Sequence, residues 1–149
     1  MILFLDFDGV LHPDPCYDPE QYFVCLPRLE SVLSDFLNVE VVVSSTWRET
    51  RTLAELKSLF SSDFSNRIVG VTPRWKDHPD IFEIIGYQRH AEIEAWLRLS
   101  NQVWRPWLAI DDKPYLFRPF LSNLLKTDPH TGFDVNAERA LREKLKVVF

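Results

Sequence analysis

Apolar residues in this chain fall into short continuous runs, separated by segments whose apolar positions repeat at helical spacing. Residues 2–7 are apolar apart from Asp6, the pattern of a strand covered on both faces. Residues 39–43, broken only by Glu40, predict a second strand, and residues 68–71, 107–110 and 124–125 predict three more. Between them, Leu29, Leu33 and Phe36 predict a helix over 28–37, with Pro27 suited to its first turn. Leu53, Leu56, Leu59 and Phe60 predict a second helix. Ile93, Trp96 and Leu97 give the apolar face of a third, which begins near Arg89. A last helix starts near Asp134, a good N-cap, and runs through Leu141 and Leu145. Residues 12–25 hold Pro13, Pro15 and Pro19 among aromatics and read as a long ordered loop or small flap. Residues 72–86 read as a Pro- and charge-bearing connection. Strands alternating with helices imply βαβ units and a mostly parallel sheet of about five strands, in one α/β domain over 1–149.

Composition narrows this little. The 149 residues are 46% hydrophobic and 26% charged, as in a soluble globular chain with a real core. No apolar stretch nears the roughly 20 residues that cross a bilayer. The first segment lacks a basic n-region and carries Asp6 and Asp8, so it does not read as a signal peptide. Cys16 and Cys25 form no metal-ligand pattern and read as ordinary thiols in a reducing cytoplasm. The net charge of −5 argues against a general electrostatic grip on nucleic acid and leaves room for a local basic pocket.

The chemistry lies where the strands stop. Three predicted strands close on polar residues: Asp6 and Asp8, then Ser44 to Thr46, then Asp111 and Asp112. In a parallel sheet the ligand crevice lies outside those ends, so distant residues gather at one edge. Four clustered carboxylates repel one another unless a divalent cation holds them, and an all-oxygen set favours Mg²⁺ over Zn²⁺. Carboxylates, metal, a hydroxyl and a cation together suit phosphoryl transfer, with one carboxylate attacking phosphorus to give an aspartyl-phosphate. Strand alternation would point Asp6 and Asp8 to one side, placing Asp8 as acid and base.

LFLDFDGVL resembles the first motif of the haloacid dehalogenase (HAD) superfamily, VEVVVSS its second, Arg89 before HAEIEAWL its third cation, and WLAIDD its fourth. SSTWRE and KTDPHTGF are similar to a small bacterial HAD group associated with Swiss Army Knife RNA-repair proteins. The resemblance implies a Rossmann-like three-layer sandwich and Mg²⁺-dependent hydrolysis of phosphomonoesters. It implies Asp6 as nucleophile, Asp8 as general acid then base, Ser44 on the phosphoryl oxygens, and Arg89 on phosphate and nucleophile. It implies Mg²⁺ held by Asp6, the Asp8 carbonyl, and Asp111 or Asp112. Ser45 replaces Ser44 if the strand is shifted by one, and Lys113 or Lys76 could stand in for Arg89. No domain-sized segment separates the motifs, so a large cap is not expected. Uncapped members tend to act on large substrates, which makes a nucleic-acid terminal phosphate the first expectation for substrate. A small-metabolite phosphatase and a catalytically silent phosphate-binding module are the competing readings. A receiver domain, whose paired acids follow the first strand, has the motifs in the wrong order.

His12 is a candidate substrate contact, and Trp47 and Arg48 could line the mouth of the site. An i,i+3 pair between Arg89 and Glu92 on one helix face is the plain structural reading of that arginine.

Overall fold

Five strands pair in parallel, in the order β3-β2-β1-β4-β5, among residues 1–148, which the computed structural model describes. Phe149, the last residue of the expected domain, lies outside the described residues. The strands are β1 (Ile2–Leu5), β2 (Glu40–Val43), β3 (Ile68–Val71), β4 (Trp107–Asp111) and β5 (Leu124–Lys126). Each matches an expected run to within two residues at either end. β1 lies at the centre, its Ile2 opposite Glu40 on one side and Trp107 on the other. The chain moves outward through β2 and β3, then returns to the far side of β1 as β4. This reversal makes the carboxyl ends of β1 and β4 the walls of a topological switch point, where open α/β sheets bind ligands.

Side chains on the sheet alternate between two cores with period two. Leu3, Leu5, Val41, Val43 and Ile110 pack with Leu29 and Leu33 of α1 (Leu26–Asp35), Leu56 of α2 (Leu53–Ser58), and Leu141 and Leu145 of the C-terminal helix. Ile2, Phe4, Val42 and Ala109 face the other way, onto Ile93, Leu97 and Phe117. The result is three layers, helix–sheet–helix, as the alternation of runs predicts.

Pro27 sits in the first turn of α1, as expected, although the helix starts at Leu26. α2 begins with a reciprocal capping box between Thr52 and Glu55 and stops at Ser58, short of the predicted Leu59 and Phe60. The segment over 72–86, expected as a connection, holds a short helix, α3 (Pro79–Ile85), closed by Gly86 at a φ of 81°. It fully buries none of its residues, but Ile81, Phe82 and Ile85 form a short half-buried stripe on it. α4 (Gln88–Leu99) and α5 (Val135–Val148) complete the fold, and Asp134 Oδ1 accepts from the Ala137 amide at the start of α5. No helix among the described residues is long and apolar enough to cross a membrane.

Candidate active site

β1 ends at Leu5, and the chain then turns tightly so that Asp6 faces the end of β4. The Asp6 amide donates to the Ile110 carbonyl at 3.1 Å, which continues the ladder by one residue. Gly9 has a φ of 77°, and a Cβ there would overlap the Asp112 carboxylate. Only glycine serves both demands. Its carbonyl accepts from Thr127 Oγ1 at 2.7 Å, which ties the turn to the segment after β5.

Asp6, Asp111 and Asp112 are all buried, and each offers an oxygen within 4.8 Å of the other two. One guanidinium answers this cluster. Arg89, 4% exposed, sets Nη1 2.6 Å from Asp111 Oδ2 and 3.3 Å from Asp6 Oδ2. Lys113 Nζ lies 3.6 Å from Asp112 Oδ1 and 3.7 Å from Asp14. Burial raises the Asp6 pKa well above the usual carboxylate range, and repulsion from Asp111 adds to it, against the pull of Arg89. Asp111 is raised for the same first reason. Burial opposes the charge on Lys113, but Asp112, Asp6 and Asp14 outweigh it and raise its pKa.

The set fits a hard cation. Three carboxylates against one guanidinium and one ammonium leave a net negative charge. Buried Asp6 Oδ2 and Asp112 Oδ1 accept no hydrogen bond and have only the ion-pair contacts to Arg89 at 3.3 Å and Lys113 at 3.6 Å. Buried carboxylate oxygens so incompletely satisfied are costly unless something else ligates them, and the donors are all oxygen. The fit covers Asp6, Asp111 and Asp112. The Asp8 carboxylate is not in this group.

Asp8 turns instead toward an aromatic wall. Its Oδ1 lies 2.7 Å from His12 Nε2, and Trp47 Nε1–H donates to both its oxygens at 3.1 and 3.2 Å. His12 Nδ1 accepts from the Phe23 amide at 3.4 Å, which assigns the proton to Nε2 and makes His12 a donor to Asp8. Tyr22, Phe23 and Trp47 pack around the His12 ring. The bond from His12 lowers the Asp8 pKa, against burial, and Trp47 adds to the effect. Trp47→Phe keeps an aromatic ring and removes the donor. The Asp8 carboxyl, followed by NMR titration, should then titrate at higher pH, because it loses a bond that favours its ionised form. An unmoved Asp8 titration would show that Trp47 only packs.

The Ser45 hydroxyl accepts from the Trp47 amide at 3.2 Å and caps the short turn Thr46–Glu49. Ser44 is buried at the end of β2, where its amide donates to the Leu5 carbonyl. Arg48, at 4% side-chain exposure, donates to the carbonyls of Ser44, Ser45, Thr72 and Pro73 and pairs with Glu92 at 2.8 Å. Glu92 thus belongs to Arg48 and not to Arg89, which the strand-end acids claim. Lys76 makes no contact with the acid cluster. It lies beside Trp75, 5.8 Å from the ring centroid. Of the sequence candidates, Asp6, Arg89, Asp111, Asp112 and Lys113 come together. Asp8, His12 and Trp47 form the adjoining wall. The Arg48–Glu92 pair was not readable as such, although Trp47 and Arg48 stood out by following the serines.

A family model described as the HAD domain in Swiss Army Knife RNA repair proteins matches residues 2–137. No curated protein and no solved structure matches the chain.

Proposed function

The chain belongs to the family of HAD domains in Swiss Army Knife RNA repair proteins, and from that premise we propose that it is a Mg²⁺-dependent phosphomonoester hydrolase, a single domain over 1–149 working through an aspartyl-phosphate. The observation that carries the reading is the buried triad of Asp6, Asp111 and Asp112 with Arg89 bridging two of them. Asp6 attacks phosphorus and the P–O bond to the leaving group breaks. The leaving oxygen takes a proton from Asp8 unless it departs as a stable anion. Asp8 then removes a proton from water, the water oxygen attacks phosphorus, and Asp6 is released with inorganic phosphate. The bonds from His12 and Trp47 favour the ionised Asp8 that this second step needs. Ser44 is the serine for the phosphoryl oxygens, since Ser45 is engaged as a cap. Mg²⁺, held by Asp6, Asp111 and Asp112 with the Asp8 carbonyl, would neutralise phosphate charge.

The substrate is a terminal phosphate on a nucleic acid. Its support is the family's description, the lack of a domain-sized insertion and the aromatic wall. A cytoplasmic setting accords with the free thiols of Cys16 and Cys25. The reading expects hydrolysis of p-nitrophenyl phosphate that chelation abolishes and Mg²⁺ restores, with phosphorylated oligonucleotide ends preferred over a metabolite panel. Turnover indifferent to chelator would contradict the metal. Tight binding of phosphorylated ends without any turnover would mean a silent module.

Metal also gives a readout free of catalysis. At about 100 times its dissociation constant, Mg²⁺ should stabilise the wild type by about 2.7 kcal/mol, or about 5–10 °C in Tm for a chain of this size. Asp111→Asn should abolish that increment. An equal shift in the variant would place the ion elsewhere.

A further inference from the structure

Beside the acid cluster, and sharing Arg89 with it, lies a small cavity of about 60 Å³. Its walls carry four cations, Arg48, Arg74, Lys76 and Arg89, against two acids, Glu49 and Glu92. Two of these charges are already committed to each other. Arg48 and Glu92 form a closed ion pair, and Arg48 spends its remaining donors on backbone carbonyls. Arg74 and Lys76 are exposed, and the only ion pair of either among the described residues is a 3.5 Å contact of Arg74 with Asp77, both side chains 57% exposed. Such a pair is weak and readily exchanged.

Arg89 is common to both sites. Its Nη1 is bound to Asp6 and Asp111, whereas its Nε is buried and has no hydrogen-bond partner. A buried guanidinium donor left unpaired costs about 1–3 kcal/mol unless a ligand accepts from it. The cavity wall also includes Gln88, the first residue of α4, whose N-terminus no side chain caps. An oxyanion placed there would meet Arg74, Lys76 and the Arg89 guanidinium, with the dipole of α4 favouring its charge.

We propose that this cavity is a second phosphate subsite, which holds the phosphate next to the scissile one on a nucleotide substrate. The proposal rests on the phosphomonoesterase reading and deepens it: the substrate carries two phosphates, and Arg89 stands between them. The second group is either another monoester, as in a nucleoside 3′,5′-bisphosphate, or the first internucleotide phosphodiester of a 5′-phosphorylated strand. The two share the anionic oxygens that the pocket would bind.

The test is a set of binding titrations on the Asp6→Asn background with Mg²⁺, where turnover does not intervene. The probes are a nucleoside 5′-monophosphate, a nucleoside 3′,5′-bisphosphate and a 5′-phosphorylated dinucleotide. At least one two-phosphate probe should bind about tenfold more tightly than the monophosphate, and whichever does so names the source of the second phosphate. Arg74→Ala/Lys76→Ala, at exposed positions that the fold does not need, should erase that advantage. It should also flatten the dependence of log K on log salt by about 0.7 per lost contact. Equal affinity for all three probes, or an advantage that survives the double substitution, would overturn the subsite. Absence of turnover in the wild-type protein, with the two-phosphate preference intact, would overturn the hydrolase reading and leave the subsite standing.

Discussion

Asp6→Asn should lower phosphomonoester turnover by at least about 10³-fold and leave the metal-free protein no less stable than the wild type. The two halves come from the same geometry. An amide of the same shape cannot form the acyl phosphate, so the covalent route closes. In the absence of metal, however, the Asp6 carboxylate is a burden on the fold. It is 2% exposed, faces Asp111, and has an oxygen without a hydrogen-bond partner. Its pKa is raised above the ordinary value of 3.8, first by burial and then by Asp111. The folded state therefore holds that proton more tightly than the unfolded chain does. Ionised Asp6 then costs stability at neutral pH, and the cost fades as pH falls toward the ordinary value. Asparagine removes it, while Arg89 keeps its 2.6 Å bond to Asp111. Thermal melts in chelator at pH 7.5 and pH 4 should show the variant's advantage at the higher pH only. Activity within tenfold of wild type, or loss of activity through unfolding, would refute this assignment.

The second large effect concerns stability. Arg48→Met should destabilise the protein by about 3–5 kcal/mol, because it strands Glu92 without a counter-charge at a site where both side chains are under 5% exposed. Glu92 Oε2 also accepts from the Trp75 amide, so the pair fastens the end of β2, the 72–75 segment and α4 together. Burial already raises the Glu92 pKa, with Arg48 as the main opposing influence. Without Arg48 it rises further and the folded state gains a proton. The deficit should therefore shrink as pH falls through the raised value, and grow again above it. Arg48→Met/Glu92→Leu should recover much of the loss, since an apolar pair needs no desolvation of charge. Chemical denaturation of the two variants at pH 5 and pH 8 checks both statements. A single variant within 1 kcal/mol of wild type would mean that water reaches Glu92.

What the chain discloses before folding follows the range of its interactions. Asp6, Ser44 and Asp111 were legible because each ends an apolar run, and parallel strands bring such ends to one edge whatever the loops do. The sheet was legible for the same reason. α3 reads as a connection, although Ile81, Phe82 and Ile85 stand at helical spacing between Pro79 and Gly86, because so short a stripe is flanked by prolines and charges. The donors to Asp8 were hidden too. His12 and Trp47 meet because residues 12–25 fold back, with the Cys25 amide on the Leu11 carbonyl and Phe23 against both rings. Nothing local in the sequence specifies that return. Arg89 and Glu92 illustrate the converse. Their i,i+3 spacing offers a pair on the helix, yet each finds a partner from another element, because buried strand-end acids and a buried arginine outbid a neighbour on the same face.

The most direct measurement is the chemical identity of the phosphorylated residue. Asp8→Asn should stall the second step and let the covalent species accumulate. Acid-quenched and peptide-mapped after incubation with labelled substrate and Mg²⁺, it should carry one phosphoryl group per chain, on Asp6, in a linkage lost to hydroxylamine. Turnover by the wild type with no label on the stalled variant, or label on any residue other than Asp6, would contradict the account.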